Sequence, residues 1–294
     1  MRSLASRIAD SRKVCPIIEP VRGNATTRIS IDNFVAAQMP FIFITNPQHG
    51  DFVAKEDHLY STLVSDGALE EYDDYIPALS ICRETSYREV ERFNANYGDS
   101  LRAVVYASEP TSQRVRDWCS SDTSIYHHII LNGVVPASFT RAIPDARKVI
   151  IYDHFKKQIR NADYPPTELF TDMNTSTSSV SVGWGDFSIV GDNYSESGGP
   201  AYAVTVHHVH KSEENDALYI NHYISDRQET AADTSGKIME AVVKLVDDLE
   251  SLAPNTTDAC ETYRRMVESG NPHSLGYLKR LAIMHHLEIM LEHD

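Results

Sequence analysis

Six short apolar runs, each rich in β-branched or aromatic residues and each followed by a polar stretch of helical character, dominate the first half of the chain: 14–21, 40–45, 76–81, 102–107, 126–131 and 148–152. Near-continuous apolarity, in place of strict alternation, is what a strand buried on both faces requires. Helices laid over both faces of a parallel sheet supply that burial. The stretches at 30–38, 55–74, 86–97 and 111–119 read as those helices, and Tyr87, Val90 and Phe93 fall at i, i+3, i+6 on one face. Run starts at 14, 40, 76, 102, 126 and 148 recur near the roughly 30-residue length of a β-α-β unit. The expected class is therefore α/β. Right-handed crossovers allow such units to form an open doubly wound sheet or a closed barrel. No Gly-x-Gly-x-x-Gly follows any run, which argues against a dinucleotide-binding sheet. A TIM-type (β/α)-barrel variant is the preferred form.

After 153 the pattern changes. A Ser/Thr-rich stretch at 175–181, then Gly183-Trp184-Gly185-Asp186 and the 192–200 segment, read as ordered loop. Runs 201–210 and 218–225 predict an antiparallel hairpin with 211–217 as its loop. On its second strand Leu218, Ile220, His222 and Ile224 share one face, Tyr219, Asn221, Tyr223 and Ser225 the other. Ile238, Val242, Leu245, Leu249 and Leu252 make one helical stripe, and helices at 257–269 and 275–292 complete the chain. The organisation expected is a single barrel-like domain over 1–294, with regular units to 153, loop and hairpin over 154–226, and a helical carboxy-terminal cap over 227–294.

With 27 basic and 42 acidic residues the net charge is −15, which disfavours direct nucleic-acid binding. No apolar run approaches the roughly 20 residues a bilayer span needs, and the amino terminus lacks a signal-peptide stretch, so a cytoplasmic protein without membrane association is expected. Of Cys15, Cys82, Cys119 and Cys260, which follow no metal-ligand spacing, Cys15 and Cys82 read as small buried hydrophobes.

Several stretches, taken together, resemble a known family. They are Pro16-Ile17-Ile18-Glu19-Pro20-Val21 with Asn46-Pro47, Gly183–Ser188 with Tyr194-Ser195-Glu196-Ser197-Gly198-Gly199, His222-Tyr223-Ile224-Ser225-Asp226, and the 278–288 segment containing Met284-His285-His286-Leu287-Glu288. The family is an uncharacterised bacterial one with an sce locus name, numbered seven-seven-two-five. The resemblance implies no established activity. It implies a nuclease-like companion partner and a place in bacterial conflict or phage defence. Family members open with a further Tyr/Pro/Arg/Gly/Lys-containing segment; this chain opens Met1-Arg2-Ser3, and any site residues on that segment are expected to be lacking.

Barrel active sites gather at the carboxyl ends of strands. Here those ends carry Glu19, Asn46, Arg83, Glu109, Asn132, Asp153 with His154, Asp186, and His222 with Asp226. Glu19, Asp153 and Asp186 are candidate ligands for a divalent metal, with His154, His222 and Asp226 as acid–base groups of a metal-assisted hydrolase or phosphodiesterase. Each has a structural alternative: an ion pair for Glu19, a helix N-cap for Asp153, a turn for Asp186, a hydrogen-bonded core histidine for His222. The histidine groups 127–128, 207–210 and 285–286 read as structural. His208 and His210 share a strand face without an evident third ligand, and His285 and His286 diverge by about 100° on a helix. Ser195-Glu196-Ser197-Gly198-Gly199 reads as an ordered loop in preference to a phosphate cradle, because Glu196 would repel the anion. No covalent-catalysis motif is present. Since no motif is catalytically complete, the leading expectation is a scaffold binding a protein partner through the terminal helices and the Tyr219/Tyr223 face; the metal-assisted hydrolase is the alternative.

Overall fold

The computed structural model describes residues 3–175, 181–194 and 201–292. The Ser195–Gly199 loop and most of the Ser/Thr-rich stretch lie outside the described residues. Two compact units divide the chain: one runs up to Tyr152 and adds the segment ending at Gly185; the other runs from Asp153 to 177 and from Asp186 onward.

The first unit is built on a seven-stranded parallel sheet curled into a half-barrel. Its strands are β1 (Ile17–Ile18), β2 (Phe41–Ile44), β3 (Tyr75–Ile81), β4 (Arg102–Tyr106), β5 (Ile125–Leu131), β6 (Lys148–Tyr152) and, after the excursion through β7 of the second unit, β8 (Gly183–Asp186). The spatial order β1-β2-β3-β4-β5-β6-β8 follows the chain. A doubly wound sheet reverses direction at a switch point; this one never does. Every residue of β2 and of β4 is buried, as two covered faces require. β1 has only two paired residues, Ile17 and Ile18 opposite Ile42 and Phe43. Pro16 and Pro20 bracket it and cannot donate to a ladder, which is why the eight-residue apolar run yields so short a strand. Cys15, ahead of Pro16, consequently stays outside the ladder and is exposed, while Cys82 is half-buried; the buried thiols are Cys119 and Cys260.

The helices begin at capping signals, starting with α1 (Leu4–Ser11), where Ser3 accepts from the Ser6 amide. Asn24 accepts from the Thr27 amide to start α2 (Ala25–Ala36), five residues before the apolar periodicity suggests. Ser86 and Glu89 form a capping box at α4 (Tyr87–Tyr97). Between them, the expected long helix is a four-residue α3 (Glu56–Leu59) running into a π-helical turn, Tyr60–Ser65. Beyond β4, α5 spans Gln113–Ser121 and the short α6 Ala137–Arg141. At the end of β2, Asn46 is buried and its amide donates to the Ser80 carbonyl at 2.9 Å while its Oδ1 accepts from the Ser80 amide at 2.7 Å. It thus extends the β2–β3 ladder with a side chain.

The second unit holds a three-stranded antiparallel sheet, ordered β7 (Thr167–Thr171), β10 (Leu218–Ile224), β9 (Thr205–Lys211). The β9–β10 hairpin pairs His207 with His222 and His208 with Asn221. The 167–171 strand completes the sheet on the other side of β10. Three helices follow: α7 (Thr234–Asp248), α8 (Asp258–Ser269) and α9 (Leu275–Glu292). Ile238, Val242, Leu245 and Leu249 are fully buried in one core with Val206, Tyr223 and Tyr263. Phe155, Tyr164, Phe170, Val209, Leu218 and Ile220 form another with Ala282 and Ile289 of α9. That helix packs on β9, an edge strand of the sheet, and covering an edge is a standard way to keep it from pairing elsewhere. No helix among the described residues is long and apolar enough to cross a membrane.

The two strand-end asparagines should separate in a stability measurement. Asn46→Ala leaves buried groups of Ser80 unpaired and is expected to lower unfolding free energy by about 1–3 kcal/mol. Asn132→Ala, at an exposed position, is expected to stay within about 0.5 kcal/mol. Equal effects in chemical denaturation would contradict this assignment.

Candidate active site

The second unit brings together three of the expected strand-end residues, Asp153, His154 and Asp186, and adds His286 from α9. Asp153 Oδ1 accepts from the Phe155 amide at 3.2 Å, and Asp186 Oδ1 from the Ser188 amide at 2.7 Å. Each aspartate thereby turns the chain two residues ahead of itself, a local bond that short acidic side chains make readily. Asp153 Oδ2 accepts from the Asp192 amide at 3.2 Å. Gly191 between them has φ +73°, and a Cβ there would stand 3.5 Å from the Asp153 carboxylate, so the turn calls for glycine. Burial, followed by the charge of Asp153, pushes the Asp192 carboxyl up.

Asp186 and His286 are nearly sealed, with side chains 7% and 3% exposed, and His286 Nε2 donates to Asp186 Oδ2 at 3.1 Å. Burial works to raise the Asp186 carboxyl, but the His286 ring and the Ser188 amide outweigh it and hold it below the usual carboxylate range. The other ring nitrogen, His286 Nδ1, is buried without a hydrogen-bond partner among the described residues. The Phe170 ring lies 5.3 Å from the His286 ring and 5.8 Å from that of His154. His154 is half-buried, and its Nε2 shares a 3.1 Å hydrogen bond with Thr171 Oγ1. Burial lowers its pKa, against the opposing charges of Asp186, Asp153 and Asp172. The result is an imidazole uncharged at neutral pH, set among three carboxylates that favour its protonated form once a proton arrives.

The remaining expected residues take other places. His222 has a side chain with no exposed surface; its Nε2 donates to Glu168 at 3.3 Å, so its Nδ1 accepts from His207 Nδ1 at 2.7 Å. Glu168 in turn pairs with Lys156 at 2.9 Å. Asp226 is exposed and pairs with Lys244 at 2.6 Å, not with His222. In the first unit Glu19 accepts from the Gln48 amide at 2.6 Å, Glu109 pairs with Arg116 at 3.3 Å, and Arg83 and Asn132 are exposed. The expected partner-binding face is corrected in one respect: Tyr223 is buried beneath α7, and its hydroxyl donates to Asp248 at 3.0 Å. Side chains of two strand faces cannot both be free when helices cover them.

For His208 the missing ligands come from outside the strand. Its ring lies with Cys260 of α8 and His285 of α9, the ligand atoms all within 4.8 Å of one another. Sequence spacing does not reveal this trio, because its members are 25 or more residues apart. His286 was equally hidden, 100 residues from Asp186.

Comparison with known proteins returns no matching protein-family model, no matching curated protein and no matching solved structure.

Three imidazoles, His128 and His285 buried and His207 half-buried, give the fold an acid limit. Burial first of all pushes His207 down to about 3, and His128 and His285 to about 4, from a usual value of 6.5. Because the unfolded chain takes up these protons first, the stability they contribute is fully present above about pH 6.5 and is lost as pH falls toward 4. Each is worth on the order of 2 kcal/mol by pH 5. The melting temperature is therefore expected to drop by several degrees between pH 7 and pH 5, and a flat profile in that range would refute the assignment.

Proposed function

We propose that the chain is an acid–base hydrolase acting on ester or phosphodiester bonds, with His154 as the group that meets water and substrate. The observation that carries this reading is the buried Asp186–His286 pair standing beside a half-exposed, neutral His154. His154 takes the proton of an attacking water, and the imidazolium so formed is stabilised by Asp186, Asp153 and Asp172, whose charges already favour it. His286 is a positioning residue: it fixes Asp186 and keeps that carboxylate ionised. Each oxygen of Asp153 and Asp186 already accepts a hydrogen bond, which fits orientation and field better than ligation of a divalent cation.

A second reading, the partner-dependent scaffold of a conflict or defence system, is favoured by the first unit. There the strand-end side chains Asn46, Glu19 and Glu109 are engaged in structural bonds, as suits a half-barrel that binds without catalysing.

Chromogenic carboxyl esters and phosphodiesters, assayed with the full chain, discriminate the two. The hydrolase reading expects turnover that falls about 10²–10⁴-fold in His154→Ala, with Asp186→Asn changing the pH profile. Activity that is indifferent to His154→Ala, or no activity on any of these substrates alongside tight co-purification with a protein partner, would transfer support to the scaffold.

A further inference from the structure

Three side chains from three elements meet in the interior of the second unit: His208 of β9, Cys260 in the first turn of α8, and His285 of α9, each with no exposed surface. Neither ring nitrogen of His208 has a hydrogen-bond partner among the described residues. A neutral imidazole has one donor and one acceptor, and leaving a buried polar atom unsatisfied costs about 1–3 kcal/mol. Such a side chain calls for an explanation by an ion or a water.

The surroundings favour the ion. His285 Nε2 lies 2.7 Å from the Val209 carbonyl and must donate to it, so Nδ1 presents a lone pair toward Cys260 Sγ, 3.7 Å away. A ligating histidine is characteristically fixed in this way, by a backbone carbonyl on its other nitrogen. Thr257 Oγ1 stands 2.8 Å from His285 Nδ1 and 3.1 Å from Cys260 Sγ. Thr257 thus holds both ligand atoms from one side, with its single proton available to either. Ligand atoms bound to one ion at roughly 2.0–2.3 Å stand roughly 3.3–3.8 Å apart; these are within 4.8 Å, a closure of about 1 Å.

We propose that His208, Cys260 and His285 bind a thiophilic closed-shell cation, Zn²⁺ or Cu⁺. One thiolate and two neutral imidazoles are the donor set such ions prefer over oxygen-rich sites. The His208 and His285 rings now stack at 3.9 Å, so loading turns the His208 ring to aim a nitrogen at the ion. The thiol proton leaves to solvent as the metal–sulfur bond forms, and Thr257 keeps one acceptor to serve. Burial keeps both histidines uncharged, so no proton need leave them. The site is separate from the acid–base pair, and its test does not depend on hydrolysis.

The test uses the full chain stripped of metal and titrated in separate arms with Zn²⁺, Cu⁺ and, as a spectroscopic probe, Co²⁺. The expected result is one equivalent per chain, a thiolate-to-cobalt charge-transfer band, and affinity weakened at least about tenfold with loss of that band in Cys260→Ser. Cys119→Ser, altering a buried thiol of the other unit, should retain both. The stronger of the Zn²⁺ and Cu⁺ arms identifies the ion. No stoichiometric binding in any arm, or a band that survives Cys260→Ser, overturns the proposal. Should Cys260→Ser fail to fold, X-ray absorption of the loaded wild-type chain decides instead: a shell of one sulfur and two imidazoles supports the site, and a shell without sulfur overturns it.

Discussion

Backbone amides and carbonyls buried away from water must find partners, and in this chain the parallel ladder of the first unit is where most of the early sequence meets that demand. Ile42 to Ile44 stand in register with Ile76 to Ala78, and Leu79 to Ile81 with Val104 to Tyr106, with their side chains taken up by cores on both faces. Everything at the strand ends depends on that register. Asn46 can reach Ser80 because β3 continues past the end of β2: with Ile44 opposite Ala78, Asn46 comes opposite Ser80. The same logic operates at the edge strand β9, where α9 covers the free edge and a histidine, His285, donates to one of its carbonyls.

The ladder was legible in the sequence because burial on both faces leaves an unmistakable mark, a run such as Phe41-Ile42-Phe43-Ile44 with no polar interruption. Two strands left no such mark. Gly183-Trp184-Gly185-Asp186 reads as ordered loop because its glycines weaken any strand signal, yet it completes the seven-stranded sheet; at Gly185 a Cβ would come within 2.8 Å of the tip of the Ile151 side chain, which would have to give way. Thr167–Thr171 alternates too little and is too polar to stand out, since β7 lies at the edge of its sheet with Leu169 exposed. The start of α2 was displaced because its cap, Asn24, stands well ahead of the apolar residues that mark the helix.

At the candidate site the division is similar. Asp153 and His154 could be found from position alone, as the residues that follow a legible strand, whereas Asp186 stood on the shortlist although its own strand read as loop. His286, Cys260 and His285 could not, because helix packing, invisible in a linear pattern, is what carries them inward. Histidines on the strands misled in the other direction. His222 sits where a strand-end acid–base residue belongs, but its ring is engaged on both nitrogens by His207 and Glu168.

His285 and His286 are neighbours on one helix whose side chains serve different neighbourhoods, one beside Cys260 and the other beside Asp186. That adjacency makes the last helix a mechanical linkage. Any substitution that re-seats α9 against β9 would carry both rings with it, because residues adjacent on one helix turn share its position.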